Sequence, residues 1–227
     1  MQRRQWMLSA AAACGLALQV REALAAALSQ SDAAAGVRAA LERGSVAAVG
    51  LLGKPDGFLG NPKVHIGLPG SLDGMAKMLK MAGQQGKIDE LVTAMNRAAE
   101  SAVPDAQPLL IEAARSMSVD DALGILRGGD TAVTDYCARK TREPLGVKFL
   151  PIVTRSTQKV SLAEKYNALA GKAAGMGLVK QDDANIERYV TGKTLDGLYT
   201  MIGEEEKKIR ADPVGTGSAL LKKAFGG

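Results

Sequence analysis

Apolar residues recur every three or four positions along most of this 227-residue chain, and no stretch of useful length alternates between apolar and polar residues. Such spacing is typical of amphipathic helices, whereas alternation is typical of strands. One stripe at helical spacing comprises Ile88, Leu91, Val92, Met95, Ala99 and Ala102. Glycine and proline lie mainly between such segments, where they end helices. The sequence therefore predicts an all-α fold, a compact bundle of about eight to ten helices.

Capping and turn residues predict where several of these helices begin and end. Ser118-x-x-Asp121 has the spacing of a capping box, in which each residue satisfies a backbone N–H of the other. Asp130 is expected to cap the next helix, and Pro144 is expected to start a further one. No linker separates these segments, so residues 26–227 are expected to form a single helical domain.

The N-terminus has the layout of an export signal. Arg3-Arg4 precedes an apolar run over residues 6–20, and Ala23-Leu24-Ala25 is a small-x-small cleavage pattern. The run is shorter than the roughly 20 residues of a membrane span. We therefore expect residues 1–25 to be a signal peptide, of the twin-arginine type, and the mature protein to be periplasmic with no transmembrane segment.

The two cysteines narrow the possible chemistry. Cys14 lies in the apolar run and gives an alternative prediction, a lipid anchor, although residues 11–13 lack the usual large aliphatic residue. Removal of residues 1–25 leaves Cys137 alone, so no disulfide can form within the mature chain. With His65 as the one histidine, zinc sites and histidine-dependent catalytic sets are not expected. We predict no metal, cofactor or catalytic residue, and we expect Cys137 to be buried as a small hydrophobe.

The longest irregular stretch is residues 53–70, which contain three prolines among several glycines. This composition excludes a helix and predicts one long Gly/Pro-rich loop, with a short extended piece at residues 64–66. Its apolar residues suggest that it packs onto the helices, with Phe58 buried as the anchor. Its polar residues are candidate ligand-binding groups, although turn formation also explains some of them: Lys54, Asp56, Asn61 and His65.

A second candidate site is the turn Gly128-Gly129-Asp130-Thr131. At the start of a helix, free backbone N–H groups could bind an anion. The alternative is a structural role, in which the glycines end one helix and the aspartate caps the next. The formal net charge is +5, but lysine and arginine are scattered among carboxylates. Without a basic stripe carrying aromatic residues, nucleic acid is not an expected partner.

Six segments stand out in order along the chain: Leu51–Phe58, Asn61–Lys63, Met95–Glu100, Gly128–Ala132, Leu195–Leu198 and Glu204–Arg210. Together they resemble the bacterial exported family catalogued as domain of unknown function 4197. The resemblance spans about residues 28–225 and implies a helical envelope protein; it implies no activity and therefore no catalytic residue.

These observations favour a non-enzymatic exported module that binds a small molecule, a lipid or an envelope protein. Two alternatives stay open. One is an enzyme of unfamiliar type that uses Asp56, His65, Asp130 or Asp135 around the long loop. The other is a self-assembling structural protein of the envelope. Convergence of the polar groups of the loop and of the Gly-Gly-Asp turn in one cavity would distinguish a ligand site from a structural cover.

Overall fold

The computed structural model describes residues 30–70, 73–176 and 184–212, and these ranges contain helices, turns and irregular segments but no β-strand. The prediction of an all-α fold is confirmed. The signal segment and Cys14 lie outside the described residues. The helices are α1 (residues 30–52), α2 (Asp73–Met81), α3 (Gln85–Ala102), α4 (Gln107–Arg115), α5 (Val119–Leu126), α6 (Ala132–Thr157), α7 (Ser161–Gly175) and α8 (Ile186–Ala211), and a 3-10 turn (Val103–Ala106) joins α3 to α4.

Two helix ends follow directly from local sequence. The predicted capping box opens α5: the Ser118 hydroxyl accepts the N–H of Asp121, and the Asp121 carboxylate accepts the N–H of Ser118. After α2, Gly83 has a φ of +70°, in the left-handed region that glycine enters without a steric penalty. The N–H of Gln84 then donates to the carbonyl of Leu79, which closes the helix end in the manner of a Schellman motif.

Helix α6 runs unbroken through two prolines, so the prediction that Pro144 starts a new helix is wrong. Each proline removes one N–H donor and leaves a carbonyl four residues earlier without its intrahelical partner. Pro144 and Pro151 are both exposed, so water can satisfy those carbonyls. On the opposite side of α6, Leu145, Phe149 and Val153 are all 0% exposed, and their burial stabilises a continuous helix.

Helices α3, α6 and α8 form the centre of the molecule. Helix α6 packs most extensively against α8 and α3. Near the middle of α6, Arg142 contacts Asp196, while at its end Thr157 contacts Glu187, so α6 and α8 run antiparallel. One buried apolar cluster extends from α1 to α8 and is rich in alanine, which allows close helix contacts. No helix in the described ranges is long and apolar enough to cross a membrane.

Candidate functional site

The loop of residues 53–70 is attached to α3 by a buried carboxylate. Glu100 is 5% exposed, and its Oε1 accepts the backbone N–H groups of Phe58 and Leu59, each at 3.1 Å. Its Oε2 accepts a hydrogen bond from the Arg97 guanidinium at 2.7 Å. Buried backbone donors need partners, and here a side chain provides an acceptor that secondary structure would otherwise supply.

The second half of the loop is attached by a buried amide. Asn96 Oδ1 accepts the N–H of Ile66 at 2.9 Å, and Asn96 Nδ2 donates to the carbonyl of Ile66 at 2.9 Å. From α8, the Tyr189 hydroxyl donates to the carbonyl of Gly67 at 3.2 Å. The segment expected to be extended, residues 64–66, therefore pairs with a side chain and not with a strand.

Phe58 is the apolar anchor of the loop. Its side chain is 0% exposed, which confirms the prediction that it is buried. The ring lies against α8 at Gly197, where an added Cβ would come within 2.7 Å of Phe58 Cε1. Any side chain at position 197 would therefore displace the ring, and glycine is needed there for close approach.

The polar candidates at the start of the loop face solvent. Lys54 and Asp56 are exposed. The Asp56 carboxylate accepts a hydrogen bond from Arg97 at 2.8 Å, so Arg97 joins Asp56 to Glu100. The hydrogen bond to Glu100, followed by the one to Asp56, raises the pKa of the Arg97 guanidinium above its usual value. Asp56 also has a φ of 63°, a backbone conformation that aspartate tolerates better than most residues.

The other two polar candidates of the loop form local turns. Asn61 Oδ1 accepts the N–H of Lys63 at 3.1 Å, and the Asn61 carbonyl accepts the N–H groups of Val64 and His65. His65 is exposed, with Nδ1 3.0 Å from the carbonyl oxygen of Leu59. These contacts fix the turns of the loop.

The turn at residues 128–131 is exposed and has few contacts of its own. Gly128, Gly129, Asp130 and Thr131 are all exposed, and Thr131 donates to Asp135 at 3.2 Å. The N-cap residue of α6 is Thr131, which makes no capping hydrogen bond, so the prediction that Asp130 caps this helix is wrong.

The first backbone N–H groups of α6 are instead accepted by a side chain of α8. The Glu206 carboxylate, 4% exposed, accepts the N–H groups of Val133 at 3.0 Å and Thr134 at 2.9 Å, and also the Thr134 hydroxyl at 2.8 Å. Arg210 donates to the same carboxylate at 2.9 Å. A carboxylate favourably placed at a helix N-terminus takes the position that a bound anion would occupy.

The loop and the turn do not share the cleft that lies beside the turn. That cleft is lined by residues of α5, of α6 and of the turn between them, among them Asp121, Gly128, Gly129, Asp135 and Arg139, and by no residue of the loop. Among the residues that the structure describes, no three histidine, cysteine, aspartate or glutamate side chains are grouped closely enough to hold a metal ion.

A different cleft lies between α6 and α8 and has a volume of about 400 Å³. Glycines keep it open: an added Cβ at Gly192 would meet nothing within 4 Å, and one at Gly146 would meet only Leu195, at 3.8 Å. The lining residues are Arg142, Gly146, Leu150, Arg188, Tyr189, Thr191, Gly192, Lys193, Leu195 and Asp196.

The residues that line the α6–α8 cleft carry a net positive charge. Arg142 and Asp196 form an ion pair at 2.6 Å and offset each other. Arg188 and Lys193 are exposed and have no carboxylate within ion-pair distance among the described residues. Lys193 instead lies over the ring of Tyr189, with Nζ 5.8 Å from the ring centroid. No motif or spacing in the sequence indicated this cleft.

Comparison of the sequence with models of known protein families identifies the family of this chain. A family model described as "Protein of unknown function (DUF4197)" matches residues 27–226. The chain belongs to this family. The resemblance found in the sequence is thereby confirmed. No curated protein and no solved structure matches the chain.

Three of the segments that carry the DUF4197 resemblance hold the loop or the start of α6 in place. Residues 95–100 hold the loop through Asn96 and Glu100. Residues 204–210 satisfy the start of α6 through Glu206, and residues 195–198 pack against Phe58 through Gly197. These segments therefore have structural roles, and segment 195–198 also contributes Leu195 and Asp196 to the lining of the α6–α8 cleft.

Cys137 is buried in this DUF4197 protein, as expected. Burial raises the pKa of its thiol to about 11, so the reactive thiolate is scarce at neutral pH. The Thr141 hydroxyl donates to the carbonyl of Cys137 at 2.8 Å and lies 2.9 Å from the Tyr199 hydroxyl. Burial likewise raises the pKa of Tyr199 to about 12. These neutral groups form a structural network.

Proposed function

We propose that this protein is exported to the bacterial periplasm and is a non-enzymatic module that binds a ligand in the cleft between α6 and α8. The cleft carries the proposal, because it combines a volume of about 400 Å³, within the range of small-molecule sites, with unfilled space at Gly192 and two cations that have no carboxylate partner among the described residues. Export is supported by the arginine pair, the short apolar run and the small-x-small pattern of residues 1–25.

The lining of the cleft favours binding over catalysis. It includes no serine, cysteine or histidine, and its one carboxylate, Asp196, is paired with Arg142. Covalent catalysis needs an activated nucleophile with a base in reach. In the enzyme alternative, Asp56 is bound by Arg97, and the exposed His65 faces a carbonyl oxygen. Neither residue lines the α6–α8 cleft, and Asp135 lies in the cleft beside the turn, whose lining includes no serine, cysteine or histidine.

The experiment is native mass spectrometry of the protein purified from the periplasm of its own cells. We expect a mature N-terminus after Ala25 and a small molecule retained in the complex. Export should fail in the variant Arg3→Lys with Arg4→Lys if the twin-arginine route is used. A lipid-modified N-terminus at Cys14 would replace the soluble periplasmic form with an anchored one.

A leucine in place of Gly192 would fill the cleft and should remove the retained molecule while the helix stays intact. The matched control is Gly171→Leu, because Gly171 is an exposed glycine in α7 whose added Cβ also meets nothing within 4 Å. A chain that retains no molecule, or retains it equally in Gly192→Leu, would contradict the proposed binding function.

A further inference from the structure

The α6–α8 cleft has an excess of positive charge. Arg142 and Asp196 offset each other, and the two remaining cations, Arg188 and Lys193, face no carboxylate among the described residues. Opposite charges attract, and charge-assisted hydrogen bonds from arginine or lysine to an oxyanion are stronger than neutral ones. The charge of the cleft therefore selects an anionic group.

One residue that lines the cleft, Thr191, has a buried hydroxyl with no hydrogen-bond partner among the described residues. Thr191 is 7% exposed, and within the described part of the chain no donor or acceptor lies within hydrogen-bond distance of its buried Oγ1. Other threonines within the helices donate to the carbonyl four residues earlier, as Thr141, Thr194 and Thr200 do. A buried polar group without a partner is unfavourable, and rotation of the Thr191 side chain towards the cleft would let an acceptor bound there satisfy the hydroxyl.

The rest of the lining is apolar or small. Leu150 on α6 and Leu195 on α8 flank the floor at Gly146 and Gly192, where no side chain fills the space. A ligand that is only an ion would leave this apolar surface in contact with water. A ligand with a short hydrocarbon part would bury it, with a favourable hydrophobic contribution.

We infer that the cleft binds a single-chain amphiphile with an oxyanion head group, a carboxylate or a phosphate. Its head group lies between Arg188 and Lys193 and accepts a hydrogen bond from the Thr191 hydroxyl, and its chain lies over Leu150 and Leu195. This inference rests on the proposed binding function and specifies the ligand class of the same site.

The experiment titrates the purified mature protein with decanoate, decyl phosphate, decyl maltoside, decyltrimethylammonium and inorganic phosphate, each amphiphile below its critical micelle concentration. Isothermal calorimetry measures the dissociation constant. We expect both anionic amphiphiles to bind at least about tenfold more tightly than the neutral and cationic ones. Preference between decanoate and decyl phosphate distinguishes a fatty-acid source from a phosphorylated one.

Three variants locate the site. Arg188→Gln with Lys193→Gln should weaken binding of the anions about tenfold or more. Lys77→Gln with Lys80→Gln is the matched control, because it removes the same charge from exposed positions of α2 and should leave affinity unchanged. Thr191→Val should weaken binding without lowering the melting temperature, since it removes a hydroxyl that has no partner in the protein. Gly192→Leu should abolish binding.

Each other outcome overturns the inference. Equal affinity for decyl maltoside would make the cleft an apolar site and would leave the proposed binding function standing. Binding of inorganic phosphate as tight as that of decyl phosphate would remove the role of the chain. Unchanged affinity in Gly192→Leu would place the site elsewhere. If no amphiphile binds, the ligand class is wrong, and the native mass spectrometry decides separately whether the cleft binds anything.

Discussion

Replacement of Glu100 tests whether one carboxylate holds the long loop on α3. In Glu100→Ala the N–H groups of Phe58 and Leu59 both lose their acceptor. An unsatisfied buried donor costs about 1–3 kcal/mol, and Leu59 is the more accessible of the two, so we expect a loss of about 4 kcal/mol in the free energy of unfolding. Glu100→Gln keeps a carbonyl oxygen that can serve both donors. Its amide nitrogen replaces the oxygen that accepts from Arg97, so the ion pair is lost and Arg97, which is 42% exposed, must turn to solvent; we expect a loss of about 1 kcal/mol.

Urea unfolding measures both losses, and amide hydrogen exchange reports the N–H groups of Phe58 and Leu59 directly. We expect those two amides to lose protection in Glu100→Ala and to keep most of it in Glu100→Gln. Glu90→Ala is the control, because Glu90 is an exposed glutamate of the same helix, and it should change stability by about 0.5 kcal/mol at most. A loss below about 1 kcal/mol in Glu100→Ala, with protection of both amides retained, would refute the role of Glu100.

Three further predictions follow from the packing of the loop, the thiol and the start of α6. Gly197→Ala should destabilise the protein by about 1–3 kcal/mol in thermal unfolding, because the new methyl group displaces the Phe58 ring; no change would contradict that contact. Cys137 should resist iodoacetamide at pH 8 and react faster as the pH rises towards its pKa of about 11, and rapid alkylation of the native protein would contradict a buried thiol. Cys137→Ala should lower the free energy of unfolding by roughly 1–2 kcal/mol. In urea unfolding, Glu206→Ala should lower the free energy of unfolding by about 3–5 kcal/mol, and Asp130→Ala should lower it by less than about 0.5 kcal/mol. A larger loss in Asp130→Ala than in Glu206→Ala would show that Asp130 caps α6.

The features that the sequence predicted correctly depend on nearby residues or on burial. Helical periodicity reflects which face of a segment is apolar, and it predicted an all-α fold. The capping box of Ser118 and Asp121 spans three positions and forms without help from other elements. Phe58 had to be buried somewhere because exposing it in a fixed loop would have no compensation for the ordering entropy. Local rules were sufficient in each of these cases.

The features that the sequence did not predict depend on partners distant in the chain. Asp130 was a reasonable cap, but a buried carboxylate of α8, Glu206, satisfies the start of α6. Pro144 was a reasonable helix start, but its exposed side and the burial of Leu145 allow α6 to continue. The α6–α8 cleft exists only because two helix faces meet, and no spacing on one helix reveals its partner. Tertiary packing overrode local propensity at each place.

The position of α8 at the end of the described chain has a consequence for the rate of folding. Its residues reach back 72 positions to Thr134, 122 to Gly67 and 141 to Lys63. Helical proteins whose contacts join neighbours in sequence fold fast, and rates fall as the separation of contacting residues increases. Until α8 docks, the start of α6 lacks its acceptor and the loop lacks the glycine surface that receives Phe58. Folding of this chain should therefore be slow for a helical protein, with docking of α8 as a late step.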